Sequence, residues 1–130
     1  MSSPVPDVED PGGHVHQVGG TTVFVLDAAG PPVGSSQDAV DIIGQAWGSR
    51  ATLIAIPARR FDAGFFTLST GLAGEFIQKI VNYRLSIAIV GDIAQHLQVS
   101  SALRAFVHES NRGRQVWFLD DLDQLDARLA

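Results

Sequence analysis

Residues 70–90 pass without a break from an amphipathic helix into an apolar strand, and this run constrains the fold more than any other part of the chain. Leu72, Ala73, Phe76, Ile77, Ile80 and Val81 recur at the three-to-four spacing that gathers them on one helical face, which must lie on a core. Glu75, Gln78, Lys79 and Asn82 fall on the opposite face. Residues 85–90 follow directly, and strands joined through a helix are parallel neighbours. Residues 52–56 supply that neighbour: the run is continuous, β-branched and closed by Pro57, as suits a strand covered on both faces.

The flanking elements extend this α/β pattern. Residues 1–13, with Pro4, Pro6, Pro11 and Gly12-Gly13 among Ser, Asp and Glu, bury too little apolar surface to offset ordering and read as a disordered N-terminal tail. Residues 14–130 read as a single domain, long enough to bury a core without metals or disulfides. Residues 14–18 and 21–26, separated by Gly19-Gly20, predict an antiparallel hairpin. Ser35 or Ser36 can cap a helix whose face is Ala39, Ile42, Ile43 and Ala46. Residues 59–68 are irregular, anchored by Phe61, Phe65 and Phe66.

Beyond the central strand, Ser100 or Ser101 can cap a helix with Leu103, Phe106 and Val107 inward, and Gly113 suits the left-handed residue that ends it. Residues 115–119 form the last strand, and Asp120 or Asp121 caps a final helix striped by Leu122, Leu125 and Leu129. The predicted order is ββαβαβαβα, a mixed sheet with an antiparallel N-terminal hairpin and parallel strands linked by helices through right-handed crossovers.

Composition narrows the function. A net charge of −5 without a dense Lys/Arg patch excludes binding to nucleic acid through phosphates. The chain has no cysteine, which removes disulfides, thiolate nucleophiles and Cys-based metal sites. No apolar run approaches the roughly 20 residues that span a bilayer, and the N-terminus lacks a signal-peptide pattern, so no membrane association and a cytoplasmic location are expected. His14 and His16 alternate on a strand without a carboxylate at ligand spacing, and His96 and His108 are isolated, so neither a metal nor another cofactor is expected.

The pattern Phe65-Phe66-x-Leu-x-Thr70-Gly71-Leu72-Ala73-Gly74-Glu75-x-x-Gln78-Lys79-x-x-Asn82-Tyr83-Arg84 is followed by Ala88-Ile89-Val90-Gly91-Asp92 and by Glu109-Ser110-Asn111-x-Gly113-Arg114-Gln115-Val116. Across residues 61–118 the chain thereby resembles a bacterial family catalogued as a domain of unknown function, number 4180. The resemblance implies kinship and no activity; His108 stands where Tyr is usual in that family. More distantly, the element order and the hydroxyl-Gly start of the central helix resemble the STAS fold of anti-sigma-factor antagonists. That resemblance implies a Ser or Thr phosphorylated by a partner kinase at the start of a helix that forms the docking face. Ser69 and Thr70 occupy the place, with Leu68 where an Asp usually precedes the hydroxyl.

The loops at the C-terminal strand ends meet on one rim, where helix N-termini favour anions. Asp27, residues 57–60, Ser69, Thr70, Gly71, Gly74, Asp92, Asp120 and Asp121 belong to that rim. A phosphoryl group on Thr70, or a ligand carboxylate near Gly71, would find Arg59 and Arg60 beside it. The competing reading has Ser69 or Thr70 as a plain helix cap and the glycines as packing aids. Glu75 and Lys79 sit i,i+4, a pair worth about 0.2–0.5 kcal/mol on a helix surface. Tyr83, Arg84, Glu109, Asn111 and Arg112 fall at helix-to-strand turns on the opposite rim and read as a structural clasp, with Arg84 paired to Glu109.

Two functions follow as expectations. The first is a regulatory or protein-binding module that docks a partner through residues 70–84, with Ser69 or Thr70 as a phosphorylation switch; self-association through the same helix is a variant of it. The second is a small cofactor-independent enzyme or small-molecule-binding protein using Glu75, Lys79, Asn82 and Asp92 in a cleft beside the sheet, with Glu75 and Lys79 as the catalytic pair. The balance favours the non-enzymatic reading.

Overall fold

A computed structural model describes residues 12–130. The predicted tail lies almost wholly outside the described residues, but its last member, Gly13, opens a strand. The elements are β1 Gly13–Val18, β2 Thr21–Leu26, α1 Ser36–Gly48, β3 Leu53–Pro57, α2 Leu72–Asn82, β4 Ser86–Val90, α3 Ala94–Val99, α4 Ser101–Arg112, β5 Val116–Leu119 and α5 Leu122–Leu129. Three short 3₁₀ turns fill the interval between β3 and α2. The strands form one mixed sheet in the order β1-β2-β3-β4-β5. β1 is antiparallel to β2, and every later pair is parallel.

Alternation along each strand builds two cores. Phe24, Leu26, Ile54, Ile56, Ile87, Ile89 and Phe118 project to one face, where they meet Ala39 and Ile42 of α1, Phe76 and Ile80 of α2 and Leu103 of α4. Val23, Val25, Leu53, Ala55, Ala88, Trp117 and Leu119 project to the other, where Leu125 of α5 inserts. Both faces are covered, which is why residues 53–56 and 87–90 are continuously apolar rather than alternating. Phe61, Phe65 and Phe66 are buried, and Phe61 stacks on Phe65 at 3.9 Å between ring centroids, pinning the irregular segment onto α2.

The capping chemistry is local. Ser35 accepts from the Asp38 N–H while Asp38 accepts from the Ser35 N–H, a reciprocal capping box at the start of α1. Ser100 caps α4 and Asp121 caps α5.

The structure departs from the sequence reading at four places. α3 is an additional helix, so the order is ββαβαβααβα rather than ββαβαβαβα. Asp92 initiates it by accepting from the Ala94 N–H at 2.9 Å, and because α3 buries no residue fully it carries no amphipathic signature. Gly113 is extended (φ −94°) rather than left-handed. The left-handed helix ends belong instead to Arg50 (φ 61°) and Arg84 (φ 63°). There Ala51 N–H bonds Ala46 O and Leu85 N–H bonds Ile80 O, closing α1 and α2 by the same motif. Finally, Leu72 and Leu122 are exposed, because each sits at the first turn of its helix beyond the edge of the core.

Candidate functional site

The C-terminal ends of β3, β4 and β5 open onto a cleft of about 620 Å³. Its floor is apolar, made by Pro57, Ala58, Phe61, Phe66 and Ile93, and its rim carries Arg59, Asp92, His96, Asp120 and Asp121. Gly91 makes the floor possible. It sits at φ 143°, and a Cβ there would lie 3.1 Å from the Ala58 Cβ, so β3 and β4 end closer together than side chains allow. His96 stacks on Phe66 at 4.6 Å and forms one wall.

The predicted grouping on this rim holds for Arg59, Asp92, Asp120 and Asp121, but its chemistry differs from the anion site expected there. Asp92 already satisfies the Ala94 N–H, and Asp121 satisfies the Gln124 N–H at 2.9 Å, so the chain's own carboxylates occupy both helix starts. Arg60 is also committed: it is 4% exposed, and its guanidinium donates to the carbonyls of Asp27 and Pro31. That leaves Arg59 as the exposed cation on the cleft.

Thr70 and its neighbours stand apart from this cleft. Ser69 lines an adjoining depression of about 320 Å³ with Phe66, His96 and Ser100. Neither Ser69 nor Thr70 is the N-cap of α2; Gly71 is, at φ 81°, with no side-chain capping bond. Thr70 Oγ1 lies 2.8 Å from the Thr67 carbonyl and 3.1 Å from the Gly64 carbonyl, and accepts from the Leu72 N–H at 3.2 Å. Its hydroxyl therefore ties two successive 3₁₀ turns to the start of the helix. Gly71 is required by its backbone, whereas Gly74 is exposed and a Cβ there would meet nothing, so close packing does not explain it.

The polar stripe of α2 is an outer surface. Glu75, Gln78 and Asn82 are exposed and Lys79 is half-buried, and with Ser36 of α1 they border an open groove of about 480 Å³. Gln78 donates to Asn82 at 2.8 Å. Among the described residues the Arg–carboxylate pair is Arg112–Glu109 at 3.6 Å and His16 hydrogen-bonds Asp126 at 2.8 Å, so the predicted Glu75–Lys79 pair is not formed. The structure does not bring Glu75, Lys79, Asn82 and Asp92 into one cleft: Asp92 faces the strand-end cleft, and the other three face the groove beside α1.

Sequence reasoning missed the exposed apolar residues of α1 and α2. Val40 (43% exposed) and Trp47 (53%) lie on α1, and Leu72 (41%) and Tyr83 (41%) lie at the two ends of α2. Trp47 and Tyr83 meet edge to face at 5.3 Å, bridging the two helices on their solvent side. The available signal was positional: Val40 and Trp47 fall off the Ala39-Ile42-Ile43-Ala46 face of α1, yet are large and apolar.

The clasp is only partly as predicted. Arg84 does not pair with Glu109, which lies 3.6 Å from Arg112 on the exposed side of α4. Arg84 instead serves as the left-handed helix end, and Tyr83 packs on Trp47. Asn111 satisfies the backbone of a strand: its Nδ2 donates to Phe118 O at 3.1 Å, and its Oδ1 accepts from Phe118 N at 2.7 Å. The side chain thus acts as one more rung on the outer edge of β5.

Among the described residues no group of three His, Cys, Asp or Glu side chains is placed to hold a metal, and no helix is long and apolar enough to cross a membrane. The family model described as Domain of unknown function (DUF4180) matches residues 18–129. No curated protein and no solved structure matches the chain significantly.

Proposed function

We propose that this chain, which belongs to the family described as Domain of unknown function (DUF4180), is a non-catalytic binding module of regulatory type that docks a protein partner through the outer surface of α2. The observation that carries the reading is the composition of that surface. Glu75, Gln78, Lys79 and Asn82 share the outer side of α2 with exposed Leu72 and Tyr83 at its ends, and Tyr83 packs on exposed Trp47 of α1; aromatic anchors within a polar surround are the usual make-up of an interface. The element order and the hydroxyl before the docking helix, which resemble anti-sigma-factor antagonists, support a regulatory role.

Thr70 is the switch in this reading. A phosphoryl group on Oγ1 removes the proton that bonds the Thr67 and Gly64 carbonyls and sets about −1.5 to −2 charge against them. The turn leading into α2 then loosens, and the docking face changes at its N-terminal end. Capture of partner by immobilised protein, compared between Thr70→Ala and Thr70→Glu, tests the switch; identical behaviour refutes it. Gln78→Arg tests the surface, and undiminished capture refutes docking there.

A second reading has the strand-end cleft as a small-molecule site. An apolar floor with a few convergent polar groups is the general form of such sites, and Asp92, Arg59 and His96 supply those groups here. Glu75 and Lys79, the catalytic pair of the enzymatic version, lie outside this cleft on an open surface. A ligand-library screen by thermal shift, repeated on Asp92→Asn, tests it; hits that ignore the substitution count against the cleft.

A further inference from the structure

The docking surface is self-complementary. α1 and α2 are both crossover helices between parallel strands, so they run parallel to one another and present their N-terminal halves side by side. The first turn of each is acidic, with Asp38 on α1 and Glu75 on α2. The opposite end is basic, with Lys79 in the last turn of α2 and exposed Arg84 and Arg50 just beyond the two helices. The exposed apolar groups on this surface are divided along the same axis: Leu72 lies at the N-terminal end of α2, Trp47 and Tyr83 at the C-terminal end.

We infer that the occupant of this surface is a second copy of the chain, packed α2 against α2 in antiparallel fashion about a two-fold axis that crosses α2 near Ile77 and Gln78. The inference rests on the docking reading above and names its partner. Rotation about an axis perpendicular to the helices reverses their direction. Glu75 of each copy then lies opposite Lys79 of the other, and the Trp47–Tyr83 end lies opposite the Leu72 end. Neither Glu75 nor Lys79 is within 4.0 Å of an opposite charge inside the described chain, so both charges are available to the partner copy. Gln78, at the axis, faces its own copy, and an amide can both donate and accept there. A two-fold along the helix direction would instead set Glu75 against Glu75 and Lys79 against Lys79. Opposed helix dipoles favour the antiparallel arrangement as well. One surface therefore meets itself twice, as closed two-fold assembly requires.

Sedimentation equilibrium on the whole chain tests this with Glu75→Lys, Lys79→Glu and the double exchange. The parent is expected to dimerise reversibly. Each single reversal sets like charges opposite one another at two symmetry-related places and weakens the dimer about tenfold or more. The double exchange restores the opposite-charge pairing and returns the dimer to within about threefold of the parent. Far-ultraviolet circular dichroism confirms that the variants fold. A parent that stays monomeric, or a dimer indifferent to the single reversals, overturns the inference. A monomeric parent that still loses an external partner on Gln78→Arg overturns only the identity of the occupant and leaves the docking reading standing, whereas a monomer whose capture ignores Gln78→Arg removes both.

Discussion

Replacing Asn111 with Ala removes the two hydrogen bonds that close the outer edge of β5 and leaves the Phe118 N–H and C=O facing a gap. Asn111 is half-buried and Phe118 is buried, so water replaces the amide poorly. A typical intramolecular hydrogen bond contributes about 1 kcal/mol net, and a buried donor left unpaired costs about 1–3 kcal/mol, which together put the loss at about 2–4 kcal/mol. With an unfolding entropy of about 2.1 cal/mol/K per residue, a chain of this length loses about 7–15 °C in melting temperature. Asn111→Asp sharpens the test. It keeps an acceptor for the Phe118 N–H but turns the donor at 3.1 Å from the Phe118 carbonyl into an anionic oxygen. Asp is therefore expected to cost at least as much as Ala, although it is nearer to Asn in size. Urea melts with unchanged slope and differential scanning calorimetry measure both. A shift under about 2 °C for Ala, or an Asp variant as stable as the parent, refutes the edge-rung account.

Arg60→Met is expected to destabilise by about 2–4 kcal/mol, since charge-assisted bonds to two carbonyls are lost; Lys should not rescue it, lacking the planar fork that spans Asp27 O and Pro31 O. Denaturant melts compare the three. Leu125→Ala, at the one fully buried position of α5, should cost about 2–5 kcal/mol and loosen that helix from the second sheet face, seen as faster amide exchange across residues 122–129. Arg84→Gly should stabilise the chain by up to about 1 kcal/mol by relieving a left-handed non-glycine residue, read as a higher denaturation midpoint in urea. Trp47→Ala should leave the melting temperature within about 2 °C of the parent, because the ring is more than half exposed, while reducing association measured by sedimentation.

How far the sequence specified the molecule depends on whether a feature is periodic or assembled. The sheet was readable because β3 and β4 are continuous apolar runs and the face of α2 repeats at helical spacing, signals that survive without tertiary context. Gly19-Gly20 fixed the hairpin, and Ser35 with Asp38 fixed the start of α1, because turn and cap chemistry is local. α3 escaped because it buries no residue fully and begins from an Asp side chain on a loop. The strand-end residues were rightly gathered on one rim, yet their chemistry was misjudged: nothing local shows that Asp92 and Asp121 fill the helix starts or that Arg60 turns to carbonyls 29 and 33 residues away. Arg84 reads as a salt-bridge partner because its charge is visible in sequence and its positive φ is not. The aromatic pair of Trp47 and Tyr83 could be found only once two helices lay side by side.

The central claim is that the outer surface of α2 is an interface with a second copy of itself, and the absence of cysteine from the chain allows a direct measurement. Gln78→Cys places one thiol beside the inferred two-fold axis, and Gln98→Cys places one on exposed α3 as a control. Mild oxidation at a concentration where the parent is dimeric should couple Gln78→Cys rapidly and almost completely into a disulfide-linked dimer that retains the parent's circular dichroism, while the control couples slowly and in proportion to random collision. Equal coupling of the two variants would contradict the account.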